Sequence, residues 1–134
     1  MFNLAIVTPE KIFYEGEISS VIVPGSQGYL GVLTDHAPLI TAVIPGKLTL
    51  KDKSHQEIVL SVSFGFFEVS SNRATLLADS AEFASSIDLE RAKKALDRAK
   101  KRLADAVGDI DLPRAKRALE RAQNRLRVID SLNE

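Results

Sequence analysis

The sequence predicts an α+β chain: an N-terminal antiparallel β sandwich followed by a C-terminal antiparallel two-helix hairpin. Three observations predict it. Apolar runs before residue 80 are short and are broken by turn residues at roughly 8–12-residue spacing, the pattern of a sandwich or barrel. After residue 88 the apolar residues step by three and four, the period of a helix face. The charge changes sign at the same place. Residues 1–87 hold five Lys/Arg and nine Asp/Glu, a balance of −4; residues 88–134 hold thirteen and nine, a balance of +4. The expected division is 1–84 as the β domain and 85–134 as linker and helical arm.

The strand candidates are residues 2–7, 11–14, 18–23, 29–33, 39–43, 47–50, 58–64, 66–69 and 74–77. Pro9, Pro24-Gly25, Gly28, Pro45-Gly46, the polar run 51–54 and Ser71-Asn72 separate them, each a residue type that favours turns. Seven of the eight aromatics lie in residues 1–67, with Phe83 the last, and are expected to fill the β core. Residues 80–87 read as a linker. Asp88 then caps a helix with Glu90 in its first turn, where acid suits the dipole. That helix is expected to run to about Val107. Gly108-Asp109 is its stop, Asp111 a second cap, and Pro113 falls in the first turn of the second helix, where no N–H is needed.

The helical half contains a 23-residue repeat. Residues 89–103 align with 112–126, and ten of the fifteen positions are identical. Each copy carries a seam of alternating Leu and Ala: Leu89, Ala92, Leu96, Ala99, Leu103 and Ala106, then Leu112, Ala115, Leu119, Ala122, Leu126 and Ile129. Alanines let helices approach closely but bury little area, so the hairpin is expected to be marginal and able to lie on the β domain or leave it. The cations form rows four apart: Lys94, Arg98 and Arg102, then Arg117, Arg121 and Arg125. Like charges at that spacing cost a helix about 0.2–0.5 kcal/mol per pair, so an anionic partner, or a simple solvated face, explains them.

Several classes are disfavoured. There is no cysteine, hence no disulfide or thiolate chemistry. The start of the chain lacks a cationic n-region and reads as a strand, not a signal peptide. No apolar run reaches the roughly 18–20 residues of a membrane span, so any membrane link goes through a partner. Gly25-Ser26-Gln27-Gly28-Tyr29-Leu30-Gly31 lacks the Gly-Lys-Ser/Thr end of a P-loop. His36 and His55 have no ligand spacing, so neither a catalytic nor a metal site is expected. Residues 84–134 contain no aromatic for base stacking and the pI is near 6.7, which argues against nucleic acid.

The stretch from Gly25 through Gly31-Val32-Leu33-Thr34-Asp35-His36-Ala37-Pro38-Leu39 closely resembles the signature of the epsilon subunit of bacterial and chloroplast F-type ATP synthases. Ile87-Asp88-Leu89-Glu90-Arg91-Ala92 is similar to that family's helix-start motif, and Arg127-Val128-Ile129 to a run in its last helix. The resemblance spans essentially the whole chain. It implies a non-catalytic rotor subunit on the central stalk, coupling the gamma subunit to the membrane c-type ring. It implies peripheral attachment, through the complex, to a bacterial plasma membrane or a thylakoid membrane on the ATP-producing side. The loop holding Tyr29 with Thr34, Asp35 and His36 becomes a candidate contact with the ring or gamma, although His36-Ala37-Pro38 is equally a structural turn. The arm is expected to restrain ATP hydrolysis by docking on acidic segments of the catalytic alpha/beta subunits, with Arg98, Arg117, Arg121 and Arg125 as its contacts. No cofactor is required, and ATP is an expected regulatory ligand of some members. The matching residues are Glu82, Asp88, Arg91, Arg121 and Arg125, with Asp88 equally explained as a cap. The linker Phe83-Ala84-Ser85-Ser86 departs from the Pro-containing version of strong ATP binders. The rival reading is a stand-alone module whose basic hairpin docks on an anionic protein or nucleic acid.

Overall fold

The computed structural model describes residues 1–105 and 112–132. Its first strand, β1 (Phe2–Val7), follows the period-two rule: Phe2, Leu4 and Ile6 are buried. β2 (Ile12–Gly25) is a single strand of 14 residues where the apolar pattern suggested two. Glu15-Gly16-Glu17 interrupts the pattern, yet these residues pair with Ala5, Leu4 and Asn3 of β1. Ile18 and Val21 both point inward although three positions apart. The pairing with β5 (Gly46–Asp52) shifts between Ile18 and Ser20, and this bulge restores the inward direction. The Ser19 hydroxyl donates to the Lys51 carbonyl at 3.2 Å beside it.

β3 (Gly28–Leu33), β4 (Leu39–Val43), β6 (Glu57–Ser70) and β7 (Arg73–Phe83) complete the sheet. The path is β1-β7-β6-β4-β2-β3, with β5 joined to β2 and β6, and β1 joined to β2. The circuit β1–β7–β6–β5–β2 therefore closes on itself, which leaves few unpaired edges. The predicted β architecture is present with one correction: β1 and β7 are parallel, from Asn3↔Arg73 to Val7↔Leu77. A parallel pair needs a long crossover, and β2 through β6 supply it. Ser71 and Asn72 join β6 to β7 with φ of 51° and 59°, a two-residue turn with both central residues left-handed, as the twist of a hairpin favours.

The buried cluster includes Leu4, Ile6, Ile18, Leu48, Leu60, Phe67 and Leu76, and all its members lie within Phe2 to Phe83. The unit Met1–Phe83 thus has its own core. Aromatics fill less of it than expected: Phe2 and Phe67 are buried, whereas Tyr29 and Phe66 are about 60% exposed. Phe13 and Phe83 stack at a tilt, with centroids 4.8 Å apart, and tie the start of β2 to the end of β7.

Tyr14 gives this unit an alkaline signature. Partial burial pushes its phenol pKa up, and the Asp52 carboxylate adds to the rise. The folded chain thus holds this proton more tightly than the unfolded one. The resulting stabilisation is complete below the ordinary value of 10.0 and is lost as pH rises through the folded value. Denaturant midpoints followed from about pH 9 to pH 12 should fall more steeply for the parent chain than for Tyr14→Phe; equal slopes would discount the residue.

The second unit spans Ala84–Glu134. The expected linker at 80–87 is shorter than predicted, because β7 continues to Phe83. Ser80, Ala81, Glu82 and Phe83 pair with Ser63, Val62, Ser61 and Leu60, and the Ser63 and Ser80 hydroxyls lie 2.6 Å apart. A 3₁₀ turn (Ala84–Ser86) follows. α1 (Leu89–Ala104) starts at Asp88, whose carboxylate accepts the Arg91 N–H at 3.1 Å; such caps contribute about 1 kcal/mol. It ends at Ala104 with Asp105 as its C-cap. The expected extension to Val107, the Gly108-Asp109 stop and the Asp111 cap lie outside the described residues. α2 (Leu112–Leu132) carries Pro113 in its first turn.

The helices pack on each other through alanine. Ala92, Ala99, Ala115 and Ala122 are buried, whereas Leu96, Leu103, Leu119 and Leu126 are half-buried and Leu89 and Leu112 are exposed. Ala106 of the expected seam is outside the described residues. α2 also buries Asn124 and Val128 and touches the 3₁₀ turn. In the repeat, Asn124 stands where α1 has the exposed Lys101, so the repeat departs from identity where the two helices differ in burial.

Candidate functional site

Residues 34–38 connect β3 to β4. Thr34 and Asp35 are exposed and His36 is half-buried. Asp35 takes a left-handed φ of 62°, which a short polar side chain tolerates. Its backbone N–H donates to Asn72 Oδ1 at 2.9 Å, and Asn72 Nδ2 donates to the Met1 carbonyl at 2.9 Å. His36 Nδ1 lies 2.6 Å from the Ala37 carbonyl oxygen, which can only accept, so Nδ1 carries the proton. In the neutral ring Nε2 is then an acceptor.

Tyr29 does not belong to this loop, a correction to the sequence expectation. It lies near the start of β3, five positions before Thr34, and an extended strand places them roughly 16 Å apart. The Tyr29 hydroxyl accepts the Lys47 N–H at 3.1 Å. A Cβ on Gly46 would overlap Pro24 and approach the same hydroxyl at 3.1 Å, so glycine is required where these strands meet. Thr34, Asp35 and His36 are thus brought together, and Tyr29 marks the other end of β3.

The cationic rows also divide. Lys94, Arg98 and Arg102 are all exposed on α1. On α2 Arg117 is exposed, but Arg121 and Arg125 are half-buried and each already has an interaction partner. At about 100° per residue both lie within roughly 60° of buried Val128, so the second buried stripe of α2 draws them in. Of the residues matched to an ATP site, Glu82 is a half-buried, partnered residue of β7 in the first unit, and the others belong to the helical unit. Asp88 makes the capping bond described above, and Arg91 is exposed. Among the described residues no group of three or more His, Cys, Asp or Glu could hold a metal ion. The residue that sequence reasoning passed over is Asn72. Its signal was present, as half of a two-residue hairpin turn, but not its bond to a loop 37 positions away.

The family model described as "ATP synthase, Delta/Epsilon chain, beta-sandwich domain" matches residues 1–84, and "ATP synthase, Delta/Epsilon chain, long alpha-helix domain" matches 85–130. The chain belongs to the epsilon-chain family of F-type ATP synthases. Relatives in this family include the epsilon chain of Protochlamydia amoebophila, 46% identical over 77% of this chain and 70% of that one. The Moorella thermoacetica epsilon chain is 46% identical over 77% of each, and that of Desulforamulus reducens 48% over 75% and 76%. The fold is shared with a chain of the Euglena gracilis mitochondrial ATP synthase, determined as OSCP/F1/c-ring in rotational state 1. Its TM-score is 0.75 at 20% identity, covering 90% of this chain and 76% of that chain. A chain of the Tetrahymena thermophila mitochondrial enzyme's central stalk and c-ring has a TM-score of 0.62 at 13% identity, covering 98% and 96%. Among the described residues no helix of this family member is long and apolar enough to cross a membrane.

Proposed function

We propose that this epsilon chain is a non-catalytic subunit of the central stalk. Its β unit joins the gamma subunit to the membrane c-type ring, with the loop of Thr34, Asp35 and His36 as a contact with the ring or gamma, and its helical unit restrains ATP hydrolysis. The observation that carries this reading is the pairing of a unit with its own core with a helical unit whose α1 row of Lys94, Arg98 and Arg102 is exposed. A self-sufficient core suits a rigid coupling mount. A row of cations at four-residue spacing destabilises its own helix and is relieved by an acidic surface, here acidic segments of the alpha/beta subunits. Attachment to the energy-transducing membrane is through the assembly.

ATP is a regulatory ligand only if Arg91, Arg121 and Arg125 can turn to its phosphates. Arg121 and Arg125 are already engaged, so nucleotide would share or displace their present partners, and it would shift the chain's conformational equilibrium only by its differential affinity for the two forms.

The test is ATP hydrolysis by an epsilon-depleted catalytic core supplied with the full chain or with residues 1–87. The expected result is inhibition by the full chain and binding without inhibition by the shorter one. Equal inhibition by both would move control to the β unit, and binding by neither would reject the stalk role.

A further inference from the structure

Three segments distant in sequence meet at Asn72: the strand entry at Met1, the β3–β4 connection at Asp35 and the β6–β7 turn itself. The Asn72 carboxamide uses both ends. Oδ1 accepts the Asp35 N–H at 2.9 Å, and Nδ2 donates to the Met1 carbonyl at 2.9 Å. Its backbone carbonyl also accepts the Asn3 N–H, at 3.4 Å. Asn72 has a left-handed φ of 59° and so does Asp35, at 62°. The bond therefore joins two residues whose backbones are each in a sparsely populated region, where outside restraint decides the conformation. Neither Thr34 nor Asp35 is buried, so packing does not supply that restraint.

We propose that Asn72 is the positioning residue of the 34–36 loop: its carboxamide fixes the Asp35 backbone and thereby the presentation of Thr34, Asp35 and His36 to the rotor partner. This inference rests on the proposed role of that loop as a contact with the c-type ring or gamma. The turn needs only a residue tolerant of positive φ, which glycine provides at least as well. The carboxamide is what glycine lacks. An aspartate keeps the acceptor for the Asp35 N–H and loses the donor to Met1, so the two bonds can be separated.

The experiment uses the full chain with Asn72→Gly, Asn72→Asp and, as a direct lesion of the loop, Thr34→Ala/His36→Ala. Amide hydrogen exchange reads the Asp35 N–H, and binding to the epsilon-depleted ATP synthase complex reads function. A net hydrogen bond is worth about 0.5–1.5 kcal/mol, so exchange at Asp35 should quicken roughly 2–13-fold in Asn72→Gly and stay near the parent rate in Asn72→Asp. Binding should weaken by a similar factor in the glycine variant and recover in the aspartate variant. Unchanged exchange at Asp35, or a rise shared equally by core amides such as Ile6 and Leu76, overturns the proposal. So does intact binding of Asn72→Gly alongside weakened binding of the loop lesion. If the loop lesion itself binds normally, the contact role of the loop fails, whereas a selective change at Asp35 would still stand as the local effect of Asn72.

Discussion

Gly65→Ala should remove about 3 kcal/mol or more from the stability of the β unit, at or beyond the upper end of ordinary overpacking. A Cβ at Gly65 would overlap the Leu77 carbonyl oxygen and lie 2.8 Å from the Leu77 carbonyl carbon and 2.9 Å from Ala78 Cα. All three obstacles are backbone, so no side-chain rotation relieves them. The only escape is to part β6 from β7, where Gly65 pairs with Ala78 and Phe66 with Leu77. Those two strands also hold Phe67 and Leu76, both without exposed surface. Phe67→Ala, a loss of core volume worth about 3–5 kcal/mol, gives a comparison of known kind. Ile40→Ala, at a position 69% exposed, should stay within about 0.5 kcal/mol. Denaturant midpoints of the three variants decide the matter. A Gly65→Ala chain within about 1 kcal/mol of the parent would show that β6 and β7 separate cheaply.

Gly65 also shows why the strand pattern was only partly legible. The pattern marks β1 and β4 with their observed bounds because each is an uninterrupted apolar or alternating run between turn residues. The apolar pattern divides β2 and β6 in two, at Glu15-Gly16-Glu17 and near Gly65, because it treats glycine and acid as breaks. In the fold those residues are held by neighbours: β1 pairs the first set and the β7 backbone crowds the second. The parallel alignment of β1 with β7 was not legible at all, since the partners lie some 70 positions apart and no local rule selects them. The same distance along the sequence hides the bond from Asn72 to Asp35, although the turn at Ser71-Asn72 is legible.

The helical unit was more legible because its determinants are local. The Asp88 cap, Pro113 in a first turn and the alanine contacts all follow from spacing within a few residues. What spacing could not reveal was the second buried stripe of α2. The 23-residue repeat makes the two helices look interchangeable, yet Asn124 is buried while its counterpart Lys101 is exposed. That asymmetry changes the expected contact set. Spacing groups Arg121 and Arg125 with Arg117, but burial separates them.

Reversing the exposed α1 row in the full chain, Lys94→Glu/Arg98→Glu/Arg102→Glu, should therefore weaken inhibition of ATP hydrolysis by roughly 10–100-fold at low salt. Each exposed pair is worth about 0–1 kcal/mol, and reversal replaces three attractions with three repulsions. The difference between variant and parent should shrink as ionic strength rises from about 0.05 M to about 0.5 M, because screening acts on exposed charges. Helicity should fall modestly: the reversed row repels Glu90, Asp97 and Asp105 and attracts Arg91 and Lys101 at three- and four-residue spacing, each pair worth about 0.2–0.5 kcal/mol, and it replaces Arg102 of the last turn with an acid that the helix dipole disfavours. Arg121→Ala and Arg125→Ala should behave differently. Both side chains are half-buried and partnered, so their loss should lower the melting temperature of the helical unit before it alters inhibition. Circular dichroism and hydrolysis measured on the same samples separate the two classes. If the reversed row inhibits as well as the parent while Arg121→Ala abolishes inhibition with the helices intact, the docking face lies on α2, and the exposed cations of α1 are a solvated surface.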